Sequence, residues 1–135
     1  MAFVDASTSR KVLEGMLPIK ITLAGAVKAG DPLKYSTGWK LATNESDKPA
    51  VLIAGEDGAI GATITAFGMA VIEFTHTLAN VPTEGEQIAV ADTGIYAPDG
   101  VGLQDIGYIV NIDADSLHSR GLVCGMIAEL DLAGT

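Results

Sequence analysis

The sequence is poor in aromatic residues, has one cysteine, and contains no long apolar run. Three Phe, three Tyr and one Trp among 135 residues mean that Val, Ile, Leu and Ala must build most of any core. The single Cys124 excludes an internal disulfide. The apolar runs are far shorter than the roughly 20 residues that a membrane-spanning helix needs, so we expect no membrane partner. The N-terminus also lacks the basic region and apolar run of a secretory signal.

Basic residues are nearly absent from the C-terminal two thirds of the chain. The formal net charge is −9, and Arg120 is the single basic residue after Lys48. Nucleic-acid binding needs clustered Lys and Arg facing phosphates, so this balance disfavours nucleic acid as a partner. It suits a protein with an acidic, solvated surface and a less acidic attachment end.

One segment occurs twice. Residues 29–42 match residues 84–97 if the second copy has one extra residue, with Gly30 aligned to Gly85, Asp31 to Glu86, and the Thr-Gly pairs at 37–38 and 93–94 aligned. Each copy reads as turn, short strand, Thr-Gly turn and short strand, because glycine adopts the positive φ that such turns require. Downstream of each copy an Ile-Gly pair, Ile60-Gly61 or Ile106-Gly107, opens a new apolar stretch. The pattern predicts an all-β fold, a small β-barrel or β-tulip-like domain of short strands.

Two ends of the chain stand apart from this repeat. Residues 1–17 are polar without a sustained period and are followed by Pro18, so we expect an extended N-terminal arm before a single β domain over residues 18–135. The last strand, residues 122–130, is apolar on both faces. Such a strand is central to the fold or lies in a subunit contact, and we assign an oligomer interface to Leu122, Cys124, Met126 and Ile127.

The tripeptide Asp92-Thr93-Gly94 is the one that aspartic proteases carry at their active site. A chain of this length could pair two such aspartates only as a homodimer. Ile95 stands where that family has a small residue, and the repeat already accounts for Asp92 as a turn position. A protease is therefore the least favoured reading.

Other chemical groups give weaker signals. Asp113, Asp115 and His118 could offer metal ligands, but a loop whose acids cap backbone amides explains them more simply. His76 and Cys124 have the pattern of packed groups. We expect no enzyme activity, no cofactor and no metal.

The segments Val27-Lys-Ala-Gly-Asp-Pro-Leu33, Glu84-Gly-Glu-Gln-Ile-Ala-Val-Ala-Asp-Thr-Gly94 and Ile106-Gly-Tyr-Ile-Val110 resemble the capsid cement, or head decoration, proteins of tailed bacteriophages. The resemblance covers roughly residues 18–130. It implies a β-rich barrel made in the host cytoplasm that binds the major capsid protein on the outer surface of the mature head. It also implies a homotrimer and an N-terminal arm that contacts the capsid.

Within such an arm, seven side chains are the expected contacts. The apolar ones would be buried on the capsid and the basic ones would face an acidic capsid surface: Phe3, Val4, Arg10, Lys11, Val12, Leu13 and Leu17. The rival readings are another virion β-barrel, such as a tail or head-completion component, and a ligand-binding barrel.

Overall fold

The computed structural model of the protein describes residues 10–43, 48–75, 81–90, 96–98 and 104–125. These residues form an all-β fold, a curled antiparallel half-barrel, which confirms the predicted fold class. The strands are β1 (Lys11–Thr22), β2 (Pro32–Tyr35), β3 (Trp39–Leu41), β4 (Leu52–Ala54), β5 (Thr63–Thr75), β6 (Gln87–Val90), β7 (Tyr96–Pro98), β8 (Gln104–Ile112) and β9 (His118–Cys124).

All nine strands belong to one sheet with the order β3-β2-β4-β5-β9-β8-β6-β7, and β1 pairs with β5. The long strand β5 organises the sheet. One of its edges is paired with β1, while its other edge pairs first with β4 and then with β9. A parallel bridge between Leu23 and Trp39 joins the end of β1 to β3 and curls the first part of the sheet.

Strict alternation explains why β5 is the central strand. From Ile64 to Phe74 every even-numbered residue is buried, and every odd-numbered residue between them is half-buried. Residues two apart point to the same face of a strand, so one face of β5 is entirely core. Small and β-branched residues dominate that face and allow close packing between neighbouring strands.

The repeat predicted from the sequence is confirmed in the backbone. The amide of Gly30 donates to Ala54 and that of Gly85 donates to Ile109, each at 2.8 Å, and both glycines have φ of 82°. In each copy the acidic residue that follows the glycine accepts a 2.9 Å hydrogen bond from a backbone amide three residues earlier. We call β2–β5 the first unit and β6–β9 the second unit.

Strand register extends the correspondence to the whole of both units. Leu33 pairs with Leu52 as Ile88 pairs with Gly107, and Ala54 pairs with Ala66 as Ile109 pairs with Gly121. The corresponding positions are Gly30 and Gly85, Asp31 and Glu86, Leu33 and Ile88, Leu52 and Gly107, Ile53 and Tyr108, Ala54 and Ile109, Ala66 and Gly121, and Phe67 and Leu122. Their separation along the chain is constant.

Two details of the predicted repeat were wrong. Three residues separate Tyr35 from its partner Trp39, whereas five separate Val90 from its partner Tyr96, so the second copy has two extra residues at this point rather than one. The Ile-Gly pairs are not equivalent either. Gly61 lies in a turn with φ of 86°, and Gly107 lies inside β8.

The interior is divided into two apolar clusters. The first lies within the first unit and the end of β1 and contains Ile21, Leu23, Leu33, Ile64 and Ala66, among others. The second is larger and contains core residues of the second unit together with Ile53, Ala70, Ile72 and Phe74, with Phe67 packed against it. Ile53 and Phe67 belong to the first unit, so the outward face of its β4–β5 pair is buried against the second unit.

The predicted boundary at residue 17 was wrong, because residues 11–17 belong to β1 and pair with β5. Two irregularities hide this strand in the sequence. A bulge shifts the register between Val12 and Glu14, and Leu17 has a φ of 58°. Gly15 is required because the ring of Phe67 occupies the space that a side chain would fill there. Pro18 is tolerated because β1 has one edge that pairs with no other described strand.

Candidate interaction surface

Arg10, predicted to face a capsid, is instead part of the core. It is 4% exposed, and its guanidinium forms an ion pair with Asp31 and lies 4.9 Å from the ring centre of Tyr96. The Tyr96 hydroxyl donates a 2.7 Å hydrogen bond to the carbonyl of Gly30. The start of β1 is therefore attached to the turn before β2 and to β7. The Asp31 carboxylate accepts a hydrogen bond from the Lys28 amide within the turn, and the same carboxylate is the partner of Arg10.

Burial dominates the electrostatics of this group. Desolvation raises the pKa of Asp31, and the amide of Lys28 and the charge of Arg10 oppose that rise. Desolvation also raises the pKa of the Tyr96 phenol far above its ordinary value. Tyr96 is therefore a neutral hydrogen-bond donor at any physiological pH. These groups stabilise the fold and are almost entirely buried.

The remaining predicted arm residues divide between buried and exposed positions. Val12 is half-buried and packs against the larger core cluster, which contradicts its assignment as a capsid contact. Lys11 is exposed, and Leu13 and Leu17 are 42% and 57% exposed. Phe3 and Val4 lie outside the described residues. The part of the arm prediction that remains open to a partner is thus Lys11, Leu13 and Leu17.

A row of apolar side chains, half-buried on β5 and exposed on its neighbours, crosses four strands on the outer face of the sheet. Register places Glu14 of β1 beside Val71 of β5, Val71 beside Leu122 of β9, and Leu122 beside Tyr108 of β8. Cross-strand neighbours share a face, so Val71, Leu122 and Tyr108 form one continuous surface. Leu122 is 36% exposed and Tyr108 is 51% exposed.

Two β-bulges enlarge this surface. Leu13 is the extra residue where β1 shifts register, and Val110 is the extra residue where β8 shifts register. They are 42% and 49% exposed, although both are apolar. We define the apolar row as Leu13, Val71, Tyr108, Val110 and Leu122. Contiguous exposed apolar groups of this kind mark interaction sites more often than isolated ones do.

A charged row borders the apolar row on one side. Lys11, Glu73, Arg120 and Asn111 are successive cross-strand neighbours. The Arg120 guanidinium donates to Glu73 at 3.2 Å and to Asn111 at 3.0 Å. On the other side Met16, Met69 and Cys124 are neighbours, and they are half-buried or buried. The arrangement is an apolar strip with one polar rim, as in many protein interfaces.

The predicted oligomer interface falls partly on this surface. Leu122 lies in the apolar row, whereas Cys124 is 6% exposed and has little surface to offer a partner. Met126 and Ile127 lie outside the described residues. Val123 faces the core and is fully buried, so β9 has one core face and one outer face over its described length.

The possible metal ligands Asp113, Asp115 and His118 do come together in the turn between β8 and β9. Their ligand atoms lie within 4.8 Å of one another. The turn explains this without an ion, because Asp115 accepts a 2.9 Å hydrogen bond from the amide of Leu117. Arg120 donates to both oxygens of Asp113 at 2.6 and 3.3 Å and holds the pKa of that carboxyl below its ordinary value. The last strand begins at His118, four residues before the predicted start at residue 122.

The other chemical candidates form no assembled site among the residues that the structure describes. Asp92 and His76 lie outside the described residues. An open groove beside β2 is lined by Val27, Asp31, Asp57 and others, but both carboxylates already accept backbone hydrogen bonds, from Lys28 and from Ala29. The exposed Lys28 also lines that groove.

Sequence reasoning missed Tyr108 and Val110 as surface residues. Tyr108 lies on the outer face because it pairs with Leu122, and Val110 is the extra residue at the register shift after Ile109. Within the described residues, no helix is long and apolar enough to cross a membrane. Comparisons of the chain with protein-family models, with curated proteins and with solved structures found no match.

Proposed function

We propose that the protein is a virion structural protein that binds the exterior of a mature tailed-phage head and stabilises it. The observation that carries the proposal is the apolar row on the outer face of β1-β5-β9-β8. A cement protein needs contact area rather than a catalytic group, and the row supplies area on a rigid sheet. The resemblance of the turn and strand motifs to the head decoration family points to the same role.

In this proposal the partners are the major capsid protein and further copies of the chain, assembled as a homotrimer. The charge distribution agrees with one surface that contacts the capsid and another that faces solvent. Lys11, near the exposed Leu13 and Leu17, lies at the less acidic end of the sequence, whereas most of the acidic residues follow residue 48. An acidic remainder would keep the outer surface of the particle solvated.

The capsid-contacting residues of the proposal are Lys11, Leu13 and Leu17 together with the segment before Arg10. Arg10 and Val12 are removed from it because they are packed in the fold. The internal attachment of Arg10 gives the preceding segment a fixed point of departure. A segment that becomes ordered on a partner pays less entropy when its attachment point is already fixed.

The test is binding to heads of the tailed phage that encodes the chain, prepared without the protein. Heads are mixed with wild-type protein, separated by sedimentation and imaged by cryo-electron microscopy. We expect regular density on the outer surface and a higher temperature of head disruption. Density on the tail or at the head vertex that joins it would instead establish the rival virion role, and no binding to any part of the particle would refute both.

Two variants make that assay specific. A chain lacking residues 2–9 and the double variant Lys11→Ser/Leu13→Ser should unfold within a few degrees of wild type, because they change exposed or preceding positions. Both should bind heads more weakly. Ile60→Ser is the matched control, because Ile60 is 72% exposed and lies outside the apolar row and the charged row. Equal head binding by all variants would contradict the assignment of this end of β1.

A further inference from the structure

The two units expose different parts of corresponding surfaces, and the difference identifies a contact. In the first unit, Ile53 is fully buried and Phe67 is half-buried against the larger core cluster. Their counterparts in the second unit are Tyr108 and Leu122, which are 51% and 36% exposed. The second unit therefore presents to solvent the same face by which the first unit packs on its neighbour.

Ile72, on the half of β5 that pairs with β9, lies in the cluster against which Ile53 and Phe67 pack, and this receiving side also has a counterpart. Ile72 pairs with Gly121 as Ile19 pairs with Ala66, so β5 stands to β9 as β1 stands to β5. Ile72 is fully buried in the cluster that also holds Ile53. Ile19, the corresponding residue, is 52% exposed, and Leu17, two residues earlier in β1, is 57% exposed.

The chain thus contains one complete copy of this contact. It also exposes both sides of a second copy, and the described residues cover neither side. We propose that a second copy of the chain completes it. Tyr108 and Leu122 of one copy pack on Leu17 and Ile19 of the next, as Ile53 and Phe67 pack within the chain on the cluster that holds Ile72. In the assembled protein Leu17, Tyr108 and Leu122 then contact another copy, and Lys11, Leu13, Val71 and Val110 remain for the head. This proposal deepens the self-association included in the proposed function and names both of its surfaces.

The contact is head-to-tail, because its two sides are different surfaces of the same molecule. Such heterologous contacts either close into rings or continue as open chains of subunits. A ring of three copies would contain six units, each contacting the next through the same pair of surfaces. The strained φ of 58° at Leu17 agrees with a functional side chain there, since a bulky residue rarely occupies that conformation without a compensating contact.

The test uses the asymmetry of the contact. Leu122→Asp removes one side and Ile19→Asp removes the other, and each variant alone should run as a single chain in size exclusion with light scattering. A desolvated apolar contact of this kind should lose at least about 30-fold in affinity when a charge enters it. Wild type should run as an oligomer, with about three chains for a closed ring.

The mixture of the two variants is the decisive measurement. The Ile19→Asp chain keeps Tyr108 and Leu122, and the Leu122→Asp chain keeps Leu17 and Ile19, so one intact contact remains available. The mixture should form a one-to-one pair and nothing larger. Ile60→Asp adds the same charge at a position that is 72% exposed and lies outside both surfaces, and it should assemble like wild type.

Three results would overturn the proposal. They are a wild-type chain that remains single at its highest soluble concentration, a mixture that remains single chains, and an Ile60→Asp chain that dissociates as the others do. Circular dichroism melts establish whether each variant is folded. If Ile19→Asp is unfolded, Ile19→Thr replaces it, and if Leu122→Asp is unfolded, Tyr108→Ser replaces it. Because no heads are present, failure here leaves the head-binding assay to decide the proposed function separately.

Discussion

The same backbone unit occurs twice in this chain, and its two copies are stabilised differently. In the first unit the turn before β2 holds a buried ion pair between Asp31 and Arg10. In the second unit the corresponding Glu86 holds only the backbone of its own turn, through a 2.9 Å hydrogen bond from Thr83. The backbone geometry that a repeat conserves is thus separable from the side-chain contacts that each copy has acquired.

The outward faces of the two units differ as well. Ile53 in the first unit is inaccessible to solvent, whereas Tyr108 at the corresponding position of the second is 51% exposed. A tyrosine tolerates both states, because its ring can be buried while its hydroxyl meets water. The side-chain amide of Gln87 donates a 3.4 Å hydrogen bond to the Tyr108 hydroxyl. Ile53 and Tyr108 therefore occupy corresponding backbone positions, and they differ in whether another part of the protein covers the side chain.

The largest effect should come from removing the acidic side chain of the turn in the first unit, compared with its counterpart in the second. Asp31→Ala leaves Arg10 buried without its carboxylate, and we expect a loss of about 3–5 kcal/mol in the free energy of unfolding. Glu86→Ala removes only a turn hydrogen bond and should cost about 0.5–1 kcal/mol. Urea denaturation measures both. Similar losses for the two variants would show that the ion pair contributes no more than the surface turn.

A second comparison concerns the strand position that holds Leu52 in the first unit and Gly107 in the second. A side chain at 107 would collide with the backbone carbonyl of Leu122, which cannot move without breaking the β8–β9 pairing. We expect Gly107→Ala to cost about 2–3 kcal/mol, as overpacking does in well-packed cores. Gly25→Ala is the control, because the nearest atom there, Lys40 Cβ, is 3.4 Å away. A Gly107→Ala chain as stable as the control would refute this account of the close approach.

A smaller effect is expected at the hairpin loop of the first unit. Thr37 is exposed and has a φ of 54°, a conformation that Asn adopts with less strain than a β-branched residue. Thr37→Asn should raise the free energy of unfolding by about 0.5 kcal/mol. Thermal melts should show the gain, and Ser36→Asn, at the neighbouring loop residue, should not. A lower melting temperature for Thr37→Asn would mean that the 2.6 Å hydrogen bond from Thr37 to the carbonyl of Ser36 outweighs the strain.

The smallest effect should be an acid-dependent one in the second unit. The hydrogen bond from Arg120 lowers the pKa of Asp113 below 3.8 in the folded chain, so the carboxylate contributes stability above that pH and loses it as the pH falls through the folded pKa. Asp113→Asn should therefore melt below wild type near neutral pH, and the gap should close on acidification. Calorimetry along a pH series checks this, with the exposed Glu84→Gln as control. A gap that is constant with pH would contradict the assignment.

The sequence contained enough information for the fold class and the repeat, because both depend on local chemistry. Glycine at a positive φ, an acidic residue beside it and alternating apolar residues are each visible in single segments. The β1 strand was not predictable in the same way. Its bulge at Leu13 and the left-handed backbone of Leu17 break the alternation by which a strand is recognised in a sequence. It forms a strand because it pairs with β5.

The candidate surface was only partly predictable for the same reason. Leu122 was found because its strand is apolar, but the exposure of Tyr108 depends on its pairing with Leu122, and that of Val110 on a register shift against the partner strand. Arg10 was misplaced because its partner Asp31 is distant in sequence and is brought near by the turn before β2. Long-range pairing decides these positions, and a single sequence carries little information on it.

The fixed start of β1 has a mechanical consequence. Arg10 attaches the chain to the turn before β2, and the adjoining β1 pairs with β5 from Lys11 to Thr22. A pull on the preceding segment, with the rest of the molecule held by neighbours, would act along β1 and load its hydrogen bonds with β5 in shear. Bonds loaded in shear resist together, whereas bonds peeled from one end fail in succession. We expect this molecule to transmit tension as a clamp.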